Sequence, residues 1–374
     1  MNDKAAGPNL GFKVPLAQID LELNRLWQAE AEQQNEPVIR ASTLNLVIIT
    51  KGSEDFETMA ALVPEITVHH PSRIILVNID QKSKAVAIEA FLTAACKQPT
   101  DGRKQICYER ITLITGSNGE KHVPGAVLPL LLPALPVVLL WAGQDGIPEN
   151  MYHGLFQVID HIIIYSPEQI SESEAGHLFG EIESLKDVFK ITDLQWAKLL
   201  PWREAVAQFF DSPFAKDFIE NITEINITCR AASMTLPGLL LSGWIASRLG
   251  LAFHNRVDGK MPVFHFTSPT GRQVKINRAL PRNRHIEGLA GVELISNVND
   301  DVFQFIVEKS ANGRLETKVL KNRQAIRAEH LPPSDRSLAK LVCDELDFMR
   351  RDEVFYEAIE TIDRMINAKQ VRIS

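Results

Sequence analysis

The chain is poor in the residues that most directly announce chemistry. Its 374 residues include only four cysteines, none in CxxC spacing. That excludes a disulfide framework and a zinc site built from closely paired thiols. So few thiols fit a reducing compartment. Positive charge is also short: 40 Lys and Arg stand against 47 Asp and Glu, a net charge of −7 at pH 7. A dedicated nucleic-acid binder needs the opposite balance to displace counterions from phosphates. The opening MNDKAAGPNLGFKVPLAQID has no apolar run of signal-peptide length, so export is not expected. Long unbroken apolar runs are missing too. Val123 to Gln144 is uncharged but carries Pro124, Pro129, Pro133 and Pro136, and Ala231 to Ser247 carries Pro237 and Gly238. Proline removes backbone donors and breaks a spanning helix. The expectation is a cytoplasmic protein with no membrane and no nucleic-acid role.

Catalytic signatures are missing as well. The nearest approach to a phosphate-binding P-loop, Gly116-Ser117-Asn118-Gly119-Glu120-Lys121, lacks the Gly-Lys pair. No GxGxxG follows a predicted strand, and there is no GxSxG elbow and no HExxH. Asp344, Glu345 and Asp347 sit near Arg350 and Arg351 and read as a solvated helix face. No cofactor, no metal and no catalytic residue is predicted, although acid/base pairs can be assembled from distant positions.

What is present is an ordinary globular composition, 45% hydrophobic and 23% charged, in a length suited to two or three domains. Leu16 to Ala31 reads as an amphipathic helix. Leu44–Ile49, a capped helix from Ser53 and Arg73–Ile79 form a strand–helix–strand unit with parallel strands. Lys84 to Lys97 fits helix or strand. Asp101-Gly102 before the strand Gln105–Thr115 favours an antiparallel hairpin. A short proline-bounded helix, the strand Val137–Trp141, a short helix near Met151–Gln157 and the strand His161–Tyr165 follow. The polar SPEQISESEAG, from Ser166, reads as a domain boundary. Beyond it come a helix from Trp196 to Phe210 interrupted by Pro201, the strand Ile222–Cys229 and the apolar helix Pro237–Leu249. Turn signals at Asp258-Gly259, Thr270-Gly271, Gly288, Asn299-Asp300 and Asn312-Gly313 then mark five or six strands of a meander. Helices Ser334–Met349 and Glu353–Ile366 close the chain. The expected architecture is an N-terminal helical arm (1–36), an α/β domain with a mixed sheet (37–166) and an α+β domain with an antiparallel meander plus helices (167–374).

Three features carry chemistry. His70, Ser72 and Arg73 offer an imidazole, a hydroxyl and a guanidinium before a strand, either an anion site or a rigid turn. Cys96 and Cys107 fall opposite each other if Asp101-Gly102 is a two-residue turn, either a redox-responsive pair or two small apolar residues on a sheet. Arg272, Lys275, Arg278, Arg282 and Arg284 occupy a stretch without any acid, either a partner-binding patch or a solvated hairpin face.

Several blocks then occur in order: Arg40-Ala41-Ser42-Thr43-Leu44-Asn45-Leu46, His70-Pro71-Ser72-Arg73, Cys107-Tyr108-Glu109-Arg110-Ile111-Thr112-Leu113 and Leu135-Pro136-Val137-Val138-Leu139-Leu140-Trp141. Leu200-Pro201-Trp202-Arg203-Glu204, Phe209-Phe210-Asp211 and the run Leu239 to Leu249 follow. Together, over roughly residues 37 to 366, they resemble the OpcA family of glucose-6-phosphate dehydrogenase assembly proteins. The resemblance implies a non-enzyme that binds glucose-6-phosphate dehydrogenase and promotes its active oligomer, favouring the oxidative pentose phosphate pathway. Family members in photosynthetic bacteria are linked to redox control of that enzyme. The alternatives are an enzyme acting on a sugar phosphate, or a metabolite sensor, using His70, Ser72 and Arg73. The chain's own oligomeric state stays open.

Overall fold

The computed structural model describes residues 10–34, 42–97, 106–143, 146–147, 154–211, 215–230, 235–258, 261–281, 286–332 and 336–367. The chain forms two compact units. One comprises Met1–Ser166, Asp187–Leu194 and Ser337–Arg351; the other comprises Pro167–Lys186, Gln195–Arg336 and Asp352–Ser374.

The first unit is built on an eight-stranded mixed sheet: β1 (Phe12–Val14), β2 (Leu44–Thr50), β3 (Ser72–Asp80), β4 (Glu89–Lys97), β5 (Ile106–Gly116), β6 (Val137–Ala142), β7 (His161–Ile164) and β8 (Lys190–Asp193). Their spatial order is β1-β4-β5-β3-β2-β6-β7-β8. From β5 to β8 every pairing is parallel. Strands covered on both faces lose the apolar–polar alternation, and all seven residues of β2 and all six of β6 are buried. β4 resolves the ambiguity of the Lys84–Lys97 segment: it is a strand, antiparallel to β5. The expected hairpin register also appears, with Cys96 opposite Cys107 along the backbone; the turn at Asp101-Gly102 lies outside the described residues. Helix Ile19–Gln34 overlaps the predicted amphipathic segment Leu16–Ala31 and runs three residues past it.

The second unit carries another eight-stranded sheet: β9 (Ile222–Arg230), β10 (Ala252–Val257), β11 (Val263–Thr267), β12 (Gln273–Ala279), β13 (Gly288–Val298), β14 (Asp301–Lys309), β15 (Leu315–Lys321) and β16 (Gln324–His330). The order β10-β11-β12-β9-β13-β14-β15-β16 shows that the meander is split. β9 is inserted at its centre, parallel to β12 and antiparallel to β13. The predicted turns at Thr270-Gly271, Asn299-Asp300 and Asn312-Gly313 share left-handed backbone, as does Gly288 where it opens β13; Gly259 lies outside the described residues. Gly271 and Gly313 sit at φ 81° and 82°, each in a loop closed by Ser268 on Arg272 and by Ser310 on Arg314. Asn299 and Asp300 both have positive φ, as do Asn322 and Arg323 at a turn the sequence reading did not mark.

The polar segment read as a domain boundary leads into a helix that the sequence reading did not mark. Ser171 caps Glu174 N–H and Glu174 reaches back to the Ser171 N–H, so a helix runs over Glu172–Leu185. The apolar helix Leu236–Arg248 packs on the C-terminal helix Glu353–Asn367. Gly243 is the point of closest approach: a Cβ there would lie 2.6 Å from the Ala358 carbonyl oxygen and 2.5 Å from Ile362 Cγ1. Because a backbone atom cannot rotate away, Gly243→Val is expected to cost about 1–3 kcal/mol by overpacking. Urea unfolding of the full chain measures it, and an unchanged midpoint would contradict the close contact.

A candidate functional site that is already filled

In open α/β sheets, ligands bind outside the carboxyl ends of the strands where the strand order reverses. In the first unit that point lies between β2 and β6, since β3 and β5 extend one way from β2 while β6, β7 and β8 extend the other. The crevice there holds charge of its own. Lys51, just after β2, makes an ion pair with Glu120 at 3.0 Å, their side chains 8% and 11% exposed. The Lys51 ammonium also lies 5.5 Å from the ring centre of Trp141 on β6.

The loop leading from β2 into helix Ser53–His69 would have to cradle phosphate for nucleotide binding. Gly52 has the special backbone, at φ 131°, but its N–H faces the Asn78 side-chain oxygen at 3.4 Å. Thr50 Oγ1 lies 3.2 Å from the same oxygen. The first helical turn then brings Glu54 and Asp55. Burial raises the Asp55 carboxyl above the usual carboxylate range, with Glu54 adding to the effect. Two carboxylates on a helix N-terminus satisfy the dipole that a phosphate would otherwise use. Neither the loop nor the crevice fits a dinucleotide.

At the opposite, amino-terminal edge of the parallel strands, the structure does not bring His70, Ser72 and Arg73 together. Ser72 Oγ donates to the His70 carbonyl at 3.0 Å, and His70 Nε2 faces Asp347 at 3.5 Å. Successive residues of a strand point to opposite faces. Arg73 is buried in a cluster of its own, its Nε donating to Glu109 Oε1 at 2.6 Å and its Nη1 to the Leu130 carbonyl at 2.9 Å. The other Glu109 oxygen accepts from Trp27 Nε1 at 2.9 Å. Arg73 therefore ties β3, β5, the proline-rich loop and the first helix together. A cavity of about 690 Å³ adjoins it, lined among others by Asp20, Asn24, Ser42 and Glu109. With Asp20 and Glu109 against one guanidinium, the cavity repels a phosphate dianion. Sequence reasoning overlooked Glu109, whose signal was a lone acid in an apolar strand.

The basic stretch divides likewise. On β12, Val274 and Ile276 are buried while Gln273 and Lys275 are exposed. Lys275 therefore points to one face and Arg278 to the other. Arg272 donates to the Asn221 side chain at 2.6 Å. Arg282 and Arg284 lie outside the described residues. For Cys96 and Cys107 only the backbone register is described; Cys229 and Cys343 are free and buried. No group of three or more His, Cys, Asp or Glu side chains among the described residues could hold a metal. No described helix is long and apolar enough to cross a membrane.

The aromatic blocks of the second unit have structural work. Trp196 donates to Asp352 Oδ2 at 2.8 Å, stacks under the Arg203 guanidinium at 3.7 Å and meets Phe355 at 5.4 Å. Asp352 in turn caps the N–H groups of Val354 and Phe355.

Both units contain segments that match known domain families. Residues 63–180 match the domain family described as glucose-6-phosphate dehydrogenase subunit N-terminal domain, and residues 189–359 match its C-terminal domain counterpart. The chain belongs to the OpcA family. Among curated relatives, the OxPP cycle protein OpcA of a Synechocystis species is 31% identical over 66% of this chain and 50% of that protein. Its namesake in Synechococcus elongatus is 28% identical over 74% of this chain and 63% of that protein. The chain thus spans about half to under two thirds of these relatives' length. Among solved structures, the 3-ketoreductase KijD10 of Actinomadura kijaniata shares 10% identity at a TM-score of 0.49, over 88% of this chain and all of that one. Likeness at that level carries no functional meaning.

Two consequences are measurable. Replacing Glu120 by Leu strands the buried Lys51 ammonium without this carboxylate and should cost about 3–5 kcal/mol, with Lys51→Met in the same chain restoring much of it. Equal stability of the single and double variants would refute the pairing. The second concerns His161 on β7, 1% exposed, with neither ring nitrogen hydrogen-bonded. Burial lowers its pKa to about 4 from 6.5, with Lys190 contributing. The unfolded chain therefore takes up this proton first, so stability falls as pH drops from 6.5 through 4. His161→Leu should remove about 2–3 kcal/mol of the acid-side loss between pH 7.5 and 4.5. Parallel acid limbs in wild type and variant would contradict this.

Proposed function

We propose that this chain is a non-catalytic effector that binds glucose-6-phosphate dehydrogenase and favours its active oligomer. The observation carrying this reading is the ordered match of both units' sequences to dehydrogenase-subunit domains. The filled crevice supports it, because Lys51, Glu120 and the Glu54-Asp55 pair occupy the position where a dinucleotide enzyme holds its cofactor. The engaged Arg73 speaks against the sugar-phosphate alternative, since its charge is met by Glu109. An effector acts only through tighter binding to the active form than to the inactive one. A tenfold shift of the equilibrium needs about 1.4 kcal/mol of that difference, well within one interface.

The test is co-elution of the purified chain with its cognate dehydrogenase, with activity read on the same fractions. The expected result is a larger dehydrogenase assembly with altered apparent substrate affinity. An unchanged dehydrogenase mass and unchanged kinetics would overturn the reading, as would turnover of glucose 6-phosphate by the isolated chain.

A further inference from the structure

Among the described residues, helices of the second unit cover one face of its sheet. The covered face is marked by Phe305 against Phe209, Phe210 and Phe218, by Ser296 bonded to the Phe218 carbonyl, and by Cys229 beside Thr235. The strand register places the alternate residues on the other face in continuous rows. One row runs Lys275, Glu224, Ile295, Gln304, Leu320; the next runs Asn277, Asn226, Glu293, Ile306, Lys318, Ala328.

A solvated sheet face should be polar at these positions. Here Ile295, Ile306 and Leu320 lie on three adjoining strands, with Val302 beside them, 39% exposed. A polar ladder holds the surroundings rigid. Asn277 donates to Glu224 at 2.8 Å, Asn226 to Glu293 at 3.0 Å and Gln304 to Glu293 at 2.6 Å. Lys318 pairs with Glu308 and, at 3.5 Å, with Glu316. The six strands β12, β9, β13, β14, β15 and β16 present roughly 700 Å² at about 4.8 Å per strand and 3.4 Å per residue, close to the ~800 Å² per partner of a stable interface. Half-buried aliphatic side chains alternating with charged and amide groups give this face the mixed apolar and polar composition of a protein contact.

Resting on the function proposed above, we infer that this face is the docking surface for the dehydrogenase, and that the dehydrogenase meets it with an aliphatic strip flanked by Arg or Lys. The charge argues for that occupant over a second copy of the chain. Glu224, Glu293, Glu308 and Glu316 outnumber Lys275 and Lys318, so two-fold self-pairing about the aliphatic side chains would bring carboxylates together. A cationic partner surface meets them with the right sign.

Val302→Glu and Leu320→Glu, made separately in the full chain, should each weaken the complex at least tenfold while leaving circular dichroism and urea midpoint near wild type. Glu308→Lys, a surface exchange that leaves the aliphatic side chains intact, should weaken it more at low salt than at high salt; should either glutamate variant fail to fold, this variant alone decides. Glu57→Ala, on an exposed helix face of the first unit, should change nothing. Wild-type binding by all three sheet variants, in a mixture where the unaltered chain does bind, would overturn the face and spare the function. If the sheet variants instead dissolve a dimer of the chain alone and bind the dehydrogenase normally, the occupant is a second copy and the inference fails. No complex with the unaltered chain would sink the function reading itself.

Discussion

A buried ammonium has to keep its counter-charge, and much of the first unit's chemical character follows from that requirement. Lys51 sits at the one place in the sheet where the topology opens a crevice, and Glu120 is folded back over it to meet the charge. The Trp141 ring completes the enclosure. An ion pair withdrawn from water gains little net stability, so its presence at a topological switch point is not explained by stability alone. Its effect is to commit the cation of the crevice to a carboxylate of the same chain. Glu54 and Asp55 extend the same effect to the helix N-terminus, where carboxylates take up the dipole an anionic ligand would need.

The contrast with Arg73 is instructive. Both are buried cations on the same sheet, at opposite ends of its strands. Arg73 distributes its donors over Glu109 and a backbone carbonyl from different segments, which makes it a joint rather than a receptor. A planar guanidinium suits that task because its donors diverge in fixed directions. In each case the charged group is met from within the fold.

That is also why legibility was uneven. Strand order near the N-terminus followed from local signals: the β-branched run at Leu44–Ile49 and the Asp-Gly turn led to parallel β2 and β3 and to the register that sets Cys96 against Cys107. Local reading failed where partners lie far apart in the chain. The His70–Arg73 group looked like an anion site because Glu109, 36 residues away, was not weighed against it. Lys275 and Arg278 looked like one patch because composition ignores the two-residue period of a strand. The insertion of β9 beside β12 had no local signature, since it joins segments separated by an entire helix and two strands. The helix after Ser166 went unread for a different reason: its Ser171–Glu174 capping box was present, but the polar segment was read for a boundary and not for a helix.

The two sheets also differ in what their residues leave undone. In the first, β2 and β6 are buried along their whole length, so their side chains are committed to internal packing. In the second, alternation survives on one face, but the face that should be wholly polar carries Ile295 and Leu320 on either side of Gln304, with Ile306 in the next row between Glu293 and Lys318. Such residues gain nothing from facing water, and the glutamine–asparagine–glutamate ladder around them restricts the face to one arrangement. Rigid, flat and part-apolar surfaces lose little entropy when covered. On the effector reading proposed above the chain acts through its exterior, and this face departs from a solvated surface by setting aliphatic side chains among hydrogen-bonded polar ones.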